Sequence, residues 1–354
     1  GLDNCTVYQG QACFKSPNEV TVNDQVLSAP RIFINVGGRA VVPDMPGLDQ
    51  IPYLTNSSMM DVDFLPSHLL VIGGSYVGLE FGQMYRRFGS EVTIIQRNER
   101  LIPREDEDVS QAIREILEDE GIRILTDADA TRVEAREQVV VAVSAGGKAT
   151  TVVGSHLLVA TGRRPNTDDL GLDKAGVATD ERGYIKVDGA LRTNVPGIFA
   201  LGDCNGRGAF THTSYNDFEI VAANLFDDDP RRVEDRILTY GLFIDPPLGR
   251  CGMTEAEIRR KGIKALVTKM PMEDVGRAYE RSETKGFIKI IVDAESKRLL
   301  GAALLGIEGD EVVQGLLDLM YAKAPYTVIQ RAMHIHPTVY EMIPGMFGEL
   351  QPLT

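Results

Sequence analysis

The chain has 354 residues and a net charge of −14, from 37 basic and 51 acidic side chains, long enough for two or three domains with full cores. The acid excess and the lack of a basic stripe argue against nucleic acid and anionic membrane surfaces as partners, and no apolar run approaches the roughly 20 residues of a membrane span. No signal peptide is visible, and four widely spread cysteines, Cys5, Cys13, Cys204 and Cys251, show neither metal spacing nor a disulfide framework, so the expectation is a reduced, cytoplasmic protein with buried thiols and no metal site.

Taken in order, residues 1–62 look like the completion of a domain. Thr6–Phe14 and Glu19–Val22 read as strands around a Ser16-Pro17-Asn18 turn, and Arg31–Gly38 reads as a buried strand ending in glycines. A Pro- and Gly-rich loop follows, Pro43 to Leu54. No helix precedes these strands, so they cannot close a doubly wound sheet by themselves.

Residues 63–164 carry the sharpest local signal. Leu69–Ile72 is a short apolar strand, followed by Gly73, Gly74, Ser75, Tyr76, Val77 and Gly78, a helix that Gly89 stops after Phe88, and a second strand Val92–Ile95. Strand, glycine turn, helix and strand in that order predict a dinucleotide-binding unit. Gly73 allows the sharp bend, Ser75 stands where the second glycine of GxGxxG usually does, and Gly78 lets the helix pack closely. The helix N-terminus offers N–H groups and partial positive charge to a pyrophosphate.

At the end of the second strand an acid usually holds the ribose 2′-OH. Here Gln96 takes that place, followed by Arg97, Asn98, Glu99, Arg100 and, further on, Arg104. A missing acid beside arginines suits a 2′-phosphate, which guanidinium binds bidentately. NADPH is therefore expected in preference to NADH, against the reading that Glu99 and Glu105 merely pair with the arginines. An acidic helix Asp106–Glu120 stopped by Gly121, a strand Ile122–Leu125, three β-rich runs between Thr131 and Val153 around Gly146-Gly147, and a buried strand His156–Ala160 complete the unit.

In residues 165–236, a buried strand Ile198–Leu201 ends in Gly202-Asp203, the carboxyl end at which α/β sheets bind ligands. A helix over Ser214–Leu225 follows, ended by Asp227-Asp228-Asp229-Pro230. Residues 237–354 read as a separate α+β domain. It is expected to hold a strand Leu242–Ile244, a helix Thr254–Lys261 with a Thr254/Glu257 capping box and a Gly262 stop, and a strand Ala265–Lys269. A hairpin Gly286–Val292 and Leu299–Gly306 and a helix Asp310–Ala322 follow.

Four stretches in order, GGSYVGLE (Gly73–Glu80), ATGRRPNT (Ala160–Thr167), TNVPGIFALGD (Thr193–Asp203) and HPTVYE (His336–Glu341), resemble the pyridine nucleotide–disulfide oxidoreductases over essentially the whole chain. The run Phe210–Val221 looks closest to a mercuric-reductase-like bacterial subgroup. The resemblance implies an α/β protein with a Rossmann-like NAD(P)-binding domain, a partial FAD-binding domain and a C-terminal dimerisation domain that makes a homodimer.

It further implies that Gly73, Ser75 and Gly78 line the NADPH pyrophosphate, that Tyr76 is an aromatic gate over the flavin, and that Glu80 holds the nicotinamide amide. Arg97 and Arg104 would bind the 2′-phosphate. Gly162 and Asp203 would serve the FAD, with Thr211 and His212 near its ring. His336 and Glu341 would be the His–Glu pair offered to a partner's disulfide. Five residues is about 140° off one helix face, so that pair is expected only if His336 stands outside the helix with Pro337 at its first position. His334 is expected to be a packed or surface histidine rather than a catalyst, and Cys204 to be buried and inert.

Hydride would pass from NADPH to FAD and on to a disulfide, a metal ion or an oxidant. The family's N-terminal FAD glycine fingerprint and CxxxxC pair have no counterpart in this sequence, so a truncated piece of a larger enzyme is expected. The C-terminal residues 348–354 lack the vicinal cysteines of mercuric reductases, which weakens mercury as the acceptor. Two rival readings stay open: a non-catalytic NADP-binding, dimer-forming module, and a flavin oxidase without a redox disulfide.

Overall fold

The computed structural model describes residues 3–353. They fall into two compact units, one formed by the chain up to Val41 with Gly162–Arg236, the other by Val42–Thr161 with the chain from Ile237 on.

In the second unit a four-stranded parallel sheet has the order His156–Val159, His68–Ile72, Glu91–Ile95, Arg123–Leu125. Beyond their first residues its strands are apolar except for buried Thr93, because both faces are covered. Successive side chains alternate between the faces. Leu69, Val71 and Ile94 share a core with Leu79 of the helix Tyr76–Phe88 and with Val109, Ile113 and Leu117 of the helix Glu107–Asp119. Leu70, Ile72 and Ile95 pack instead with Val133, Val141 and Val143 of an antiparallel meander, Ala128–Ala135, Val139–Ala145 and Lys148–Gly154. Gly89 ends the first helix at φ 113°, as its position in the sequence predicts.

The expected domain boundary at residue 62 falls inside this unit. Leu48 and Ile51 are buried with Leu70 and Ile72, and Val133 N–H donates to the Pro46 carbonyl at 2.9 Å.

A six-stranded antiparallel sheet follows, in the order Thr239–Leu242, Leu248–Gly252, Leu299–Leu305, Phe287–Asp293, Ala265–Pro271, Gln351–Pro352. The helix Gly309–Tyr321 covers it through Val313, Leu316 and Leu317. The Thr254/Glu257 capping box forms as predicted, with Glu257 N–H donating to Thr254 Oγ1 at 3.2 Å. The strand Leu248–Gly252 escapes sequence reading because LGRCG looks like a loop. Its Gly249 is required by packing: a Cβ there would overlap the Gly309 carbonyl of the covering helix. Leu242, Leu248 and Phe287 lie in the same core as Val71 and Ile94, which fuses the two sheets into one unit.

In the first unit, Ala12–Ser16, Glu19–Val22 and Gln25–Ser28 form an antiparallel meander. The first strand starts later than the expected Thr6, and the third, QVLS, is largely exposed and too short to show an apolar alternation that would reveal it. Ile32–Ile34 pairs in parallel with Ile198–Ala200. The expected helix Ser214–Leu225 begins three residues earlier, at Thr211, and ends at Ala222 in a π-helical turn.

Candidate functional site

The glycine turn closes as the sequence requires. Gly73 has φ 117°, and a Cβ there would overlap the Ala160 carbonyl oxygen. A Cβ on Gly78 would overlap the Gly73 carbonyl, so the third glycine lets the helix close onto the turn itself. Ser75 is the N-cap, but its side chain makes no capping hydrogen bond. The first-turn N–H groups of a 13-residue helix are thus left to an anion.

Gln96 does not face a ligand. It is buried, accepts a hydrogen bond from Gly74 N–H at 3.2 Å and donates to the Arg100 carbonyl at 3.1 Å, bracing the turn from behind. Arg97 and Arg104 are exposed and make no hydrogen bond or ion pair among the described residues. The rival reading, in which Glu99 and Glu105 neutralise them, fails for Glu105. That carboxylate is buried, accepts the Tyr240 hydroxyl and faces Arg250.

Tyr76 opens the helix, half-buried, with its ring edge-on to Tyr240 at 5.7 Å and 89°. Burial pushes its phenol up. Glu80, one turn on, accepts the Phe243 N–H at 2.9 Å through Oε1. Burial raises its carboxyl above the ordinary range, against the pull of that hydrogen bond.

In the other unit, Gly162 accepts from Val41 N–H at 2.9 Å. The Arg163 guanidinium beside it ties Asp203 Oδ2, at 3.2 Å, to the Gly38 carbonyl, at 2.7 Å. Asp203 stands just beyond the strand Ile198–Ala200. Thr211 and His212 are exposed at the head of the helix Thr211–Ala222, with His212 stacked on Phe210 at 5.2 Å. Fully buried Asp217 of that helix accepts from Gly202 N–H and Asn205 Nδ2, both at 2.8 Å, and so fixes the helix to the turn that carries Asp203.

His336 and Glu341 do pair: Nδ1 lies 3.0 Å from Oε2. The route differs from the one expected. Pro337 is not a first helical residue, because the helical turn starts at Tyr340. His336 reaches Glu341 from an irregular segment, and Thr338 N–H donates to Glu341 Oε1 at 3.0 Å. That backbone donor, with His336 second, holds the Glu341 carboxyl below its ordinary value. The His336 side chain is 80% exposed, and Nε2 is the nitrogen left for a partner. His334 packs on the Tyr340 ring at 5.0 Å instead. All four cysteines are free. Burial pushes the Cys204 thiol up to about 11 and the Cys251 thiol up to about 12.

Sequence reasoning missed a buried charge cluster. Lys289 and Arg250 are each 1% exposed. Lys289 Nζ lies 3.0 Å from Asp106, 2.6 Å from Asp108 and 2.7 Å from Glu255, and Arg250 Nη1 lies 3.3 Å from Asp106. Asp106, Asp108 and Glu255 converge as ligands of a cation would, and the cation among them is the chain's own ammonium. A solvent-open cavity of about 890 Å³ adjoins these carboxylates. The available signal was Lys289 itself, a lone charge inside the apolar strand Phe287–Asp293.

Residues 2–217 match the family described as pyridine nucleotide-disulphide oxidoreductase, and residues 239–347 match its dimerisation domain. The chain belongs to this oxidoreductase family. The probable pyridine nucleotide-disulfide oxidoreductase RclA of Escherichia coli K12 is 35% identical over 353 residues, 98% of this chain and 79% of RclA. A mercuric reductase of Bacillus cereus is 32% identical over 92% of this chain, which spans 54% of that protein. The structure of the Cu(II) complex of the HOCl-induced flavoprotein disulfide reductase RclA from E. coli superposes with a TM-score of 0.90 at 35% identity, over 96% of this chain and 78% of that one. Members of the oxidoreductase family depend on FAD and use NAD(P)H, so the expected enzyme class and α/β fold both hold. Among the described residues no helix is long and apolar enough to cross a membrane.

Proposed function

We propose that the protein oxidises NADPH and passes the electrons through FAD to a disulfide, a metal ion or an oxidant, working as a homodimer through its C-terminal domain. One observation carries the choice of NADPH: Arg97 and Arg104 stand exposed beyond the second strand and unpaired among the described residues, while the residue in the place of the ribose-binding acid, Gln96, is turned inward. The Cu(II) complex of RclA supports a metal ion among the acceptors.

The residues fit both cofactors. The uncapped helix after Gly73, Ser75 and Gly78 suits a pyrophosphate. In the other unit Asp203 keeps Oδ1 free of hydrogen bonds among the described residues, which suits a polyol hydroxyl, with Gly162, Thr211 and His212 as further FAD contacts. Bound FAD supplies the two-electron chemistry between nucleotide and acceptor.

The chain's own groups bind and orient. Tyr76 covers the nicotinamide place until the nucleotide displaces it. Glu80, with Oε1 fixed on Phe243, offers Oε2 to the carboxamide. His336, held at Nδ1 by Glu341, takes or gives a proton at Nε2 to a thiol of the partner subunit.

The visible spectrum of the purified protein tests this reading. A flavin band that NADPH bleaches under anaerobic conditions is the expected result. A flavin-loaded protein that NADPH leaves oxidised would overturn it.

A further inference from the structure

The segment from Arg97 to Arg104 is seated directly on the glycine turn. A Cβ on Gly74 would lie 2.6 Å from Leu101 Cδ2 and 3.1 Å from Gln96 Cβ, so this residue of the turn must be glycine for the segment to pack there. Ile102 N–H donates to the Gly74 carbonyl at 2.9 Å. Ile102 is 1% exposed and holds φ 42°. That left-handed conformation costs a β-branched residue energy and persists only where the surroundings fix it.

Ties recur along the segment. The Gln96 and Asn98 carbonyls accept from Ala128 and Asp127 N–H, both at 3.0 Å. The Leu101 carbonyl accepts from Ser110 Oγ at 2.6 Å, and the Ile102 carbonyl from Glu105 N–H at 2.9 Å. Arg97 thus lies between ties at Gln96 and Asn98, and Arg104 between ties at Ile102 and Glu105. Between these, buried Gln96 accepts from Gly74 N–H and donates to the Arg100 carbonyl, so one side chain joins the pyrophosphate turn to the arginine segment.

We infer that Gln96 governs nucleotide preference without touching the nucleotide: it ties the arginine segment to the glycine turn and so holds Arg97 and Arg104 ready for a 2′-phosphate. This rests on the reading above, in which those arginines receive that phosphate. A loose segment would have to be ordered at the moment of binding, and only the nucleotide that uses it would bear that cost. Gln96 is a positioning residue: it acts through the two arginines.

The test is calorimetric titration with NADP⁺ and with NAD⁺, for wild type, Gln96→Leu, Arg97→Ala/Arg104→Ala and the triple variant. Gln96→Leu removes both hydrogen bonds and adds no charge. Loss of the Gly74 bond weakens the two nucleotides alike, whereas loss of the Arg100 tie weakens NADP⁺ alone. The ratio of the two Kd values should therefore shift roughly three- to tenfold toward NAD⁺. Once Arg97 and Arg104 are gone, adding Gln96→Leu should leave the ratio unchanged, because nothing remains for it to position.

An unchanged ratio in Gln96→Leu, or an equal shift in the absence of the arginines, would overturn the inference. Should Gln96→Leu not fold, Gln96→Met takes its place, and hydrogen exchange of the wild type tests the same point. The Ile102 and Glu105 amides should be protected before any nucleotide is added, and protection gained only with NADP⁺ would overturn a segment held in advance. Wild-type protein that binds NAD⁺ more tightly than NADP⁺ would instead overturn the NADPH reading, and this inference with it.

Discussion

Two sets of cations sit near the two ends of the same short segment and do opposite things. Arg97 and Arg104 are exposed and unpaired among the described residues. Arg250 and Lys289 are sealed in, each 1% exposed, against Glu105, Asp106, Asp108 and Glu255. An exposed guanidinium keeps its hydration and costs the fold nothing while it waits for a phosphate. A buried ammonium is tolerated only with its carboxylates in place, and each side then depends on the other. The first set is the signature of a binding site, the second that of a joint between sheets.

The largest effect that tests the comparison comes from the joint. Lys289→Met should cost about 3–5 kcal/mol of stability, since it leaves three carboxylates facing one another. Denaturant unfolding measures this, and a loss below about 1 kcal/mol would mean that the cluster is as replaceable as a surface pair. Arg97→Glu should do the reverse. It should weaken NADPH roughly ten- to a hundredfold, leave NADH within about twofold, and leave the unfolding midpoint unchanged. Equal losses for the two nucleotides, read by titration, would reject the 2′-phosphate role.

The smallest effect is in pH. Burial alone would raise the Asp108 carboxyl, but hydrogen bonds from Lys269 and Lys289 outweigh it and hold the folded value below the ordinary 3.8. A depressed carboxylate adds stability that is fully present above the unfolded value and is lost as the pH falls through the folded one. Unfolding midpoints should therefore decline below pH 3.8 less steeply in Asp108→Asn than in wild type. Parallel declines would show that the Asp108–lysine contacts contribute nothing.

Much of the fold was legible because its signals are local. Gly73 and Gly78 mark a turn that only glycine can make, Gly89 and Gly262 stop helices in the left-handed region, and Thr254 with Glu257 closes its own capping box. The unbroken apolar run Leu69 to Ile72 likewise announces a sheet covered on both faces. These features depend on backbone stereochemistry and on neighbours within a few residues. The His336–Glu341 pair was legible as a pair, though its backbone route was not, because a turn through Pro337 leaves no periodic trace.

What the tertiary structure alone decided are partnerships across long stretches of chain. Gln96 looked like a ligand-side residue and is a brace on Gly74. Glu105 looked like a counter-ion for surface arginines and instead meets Tyr240, 135 residues away. The LGRCG strand and the attachment of residues 42–62 to the nucleotide unit follow from cores that no single segment contains. Sequence thus determined which elements form and where an anion can be received, since each such element carries its own pattern. Which charges are buried, and against what, was decided by folding, because a charge is buried only once distant segments remove its water and supply its partner.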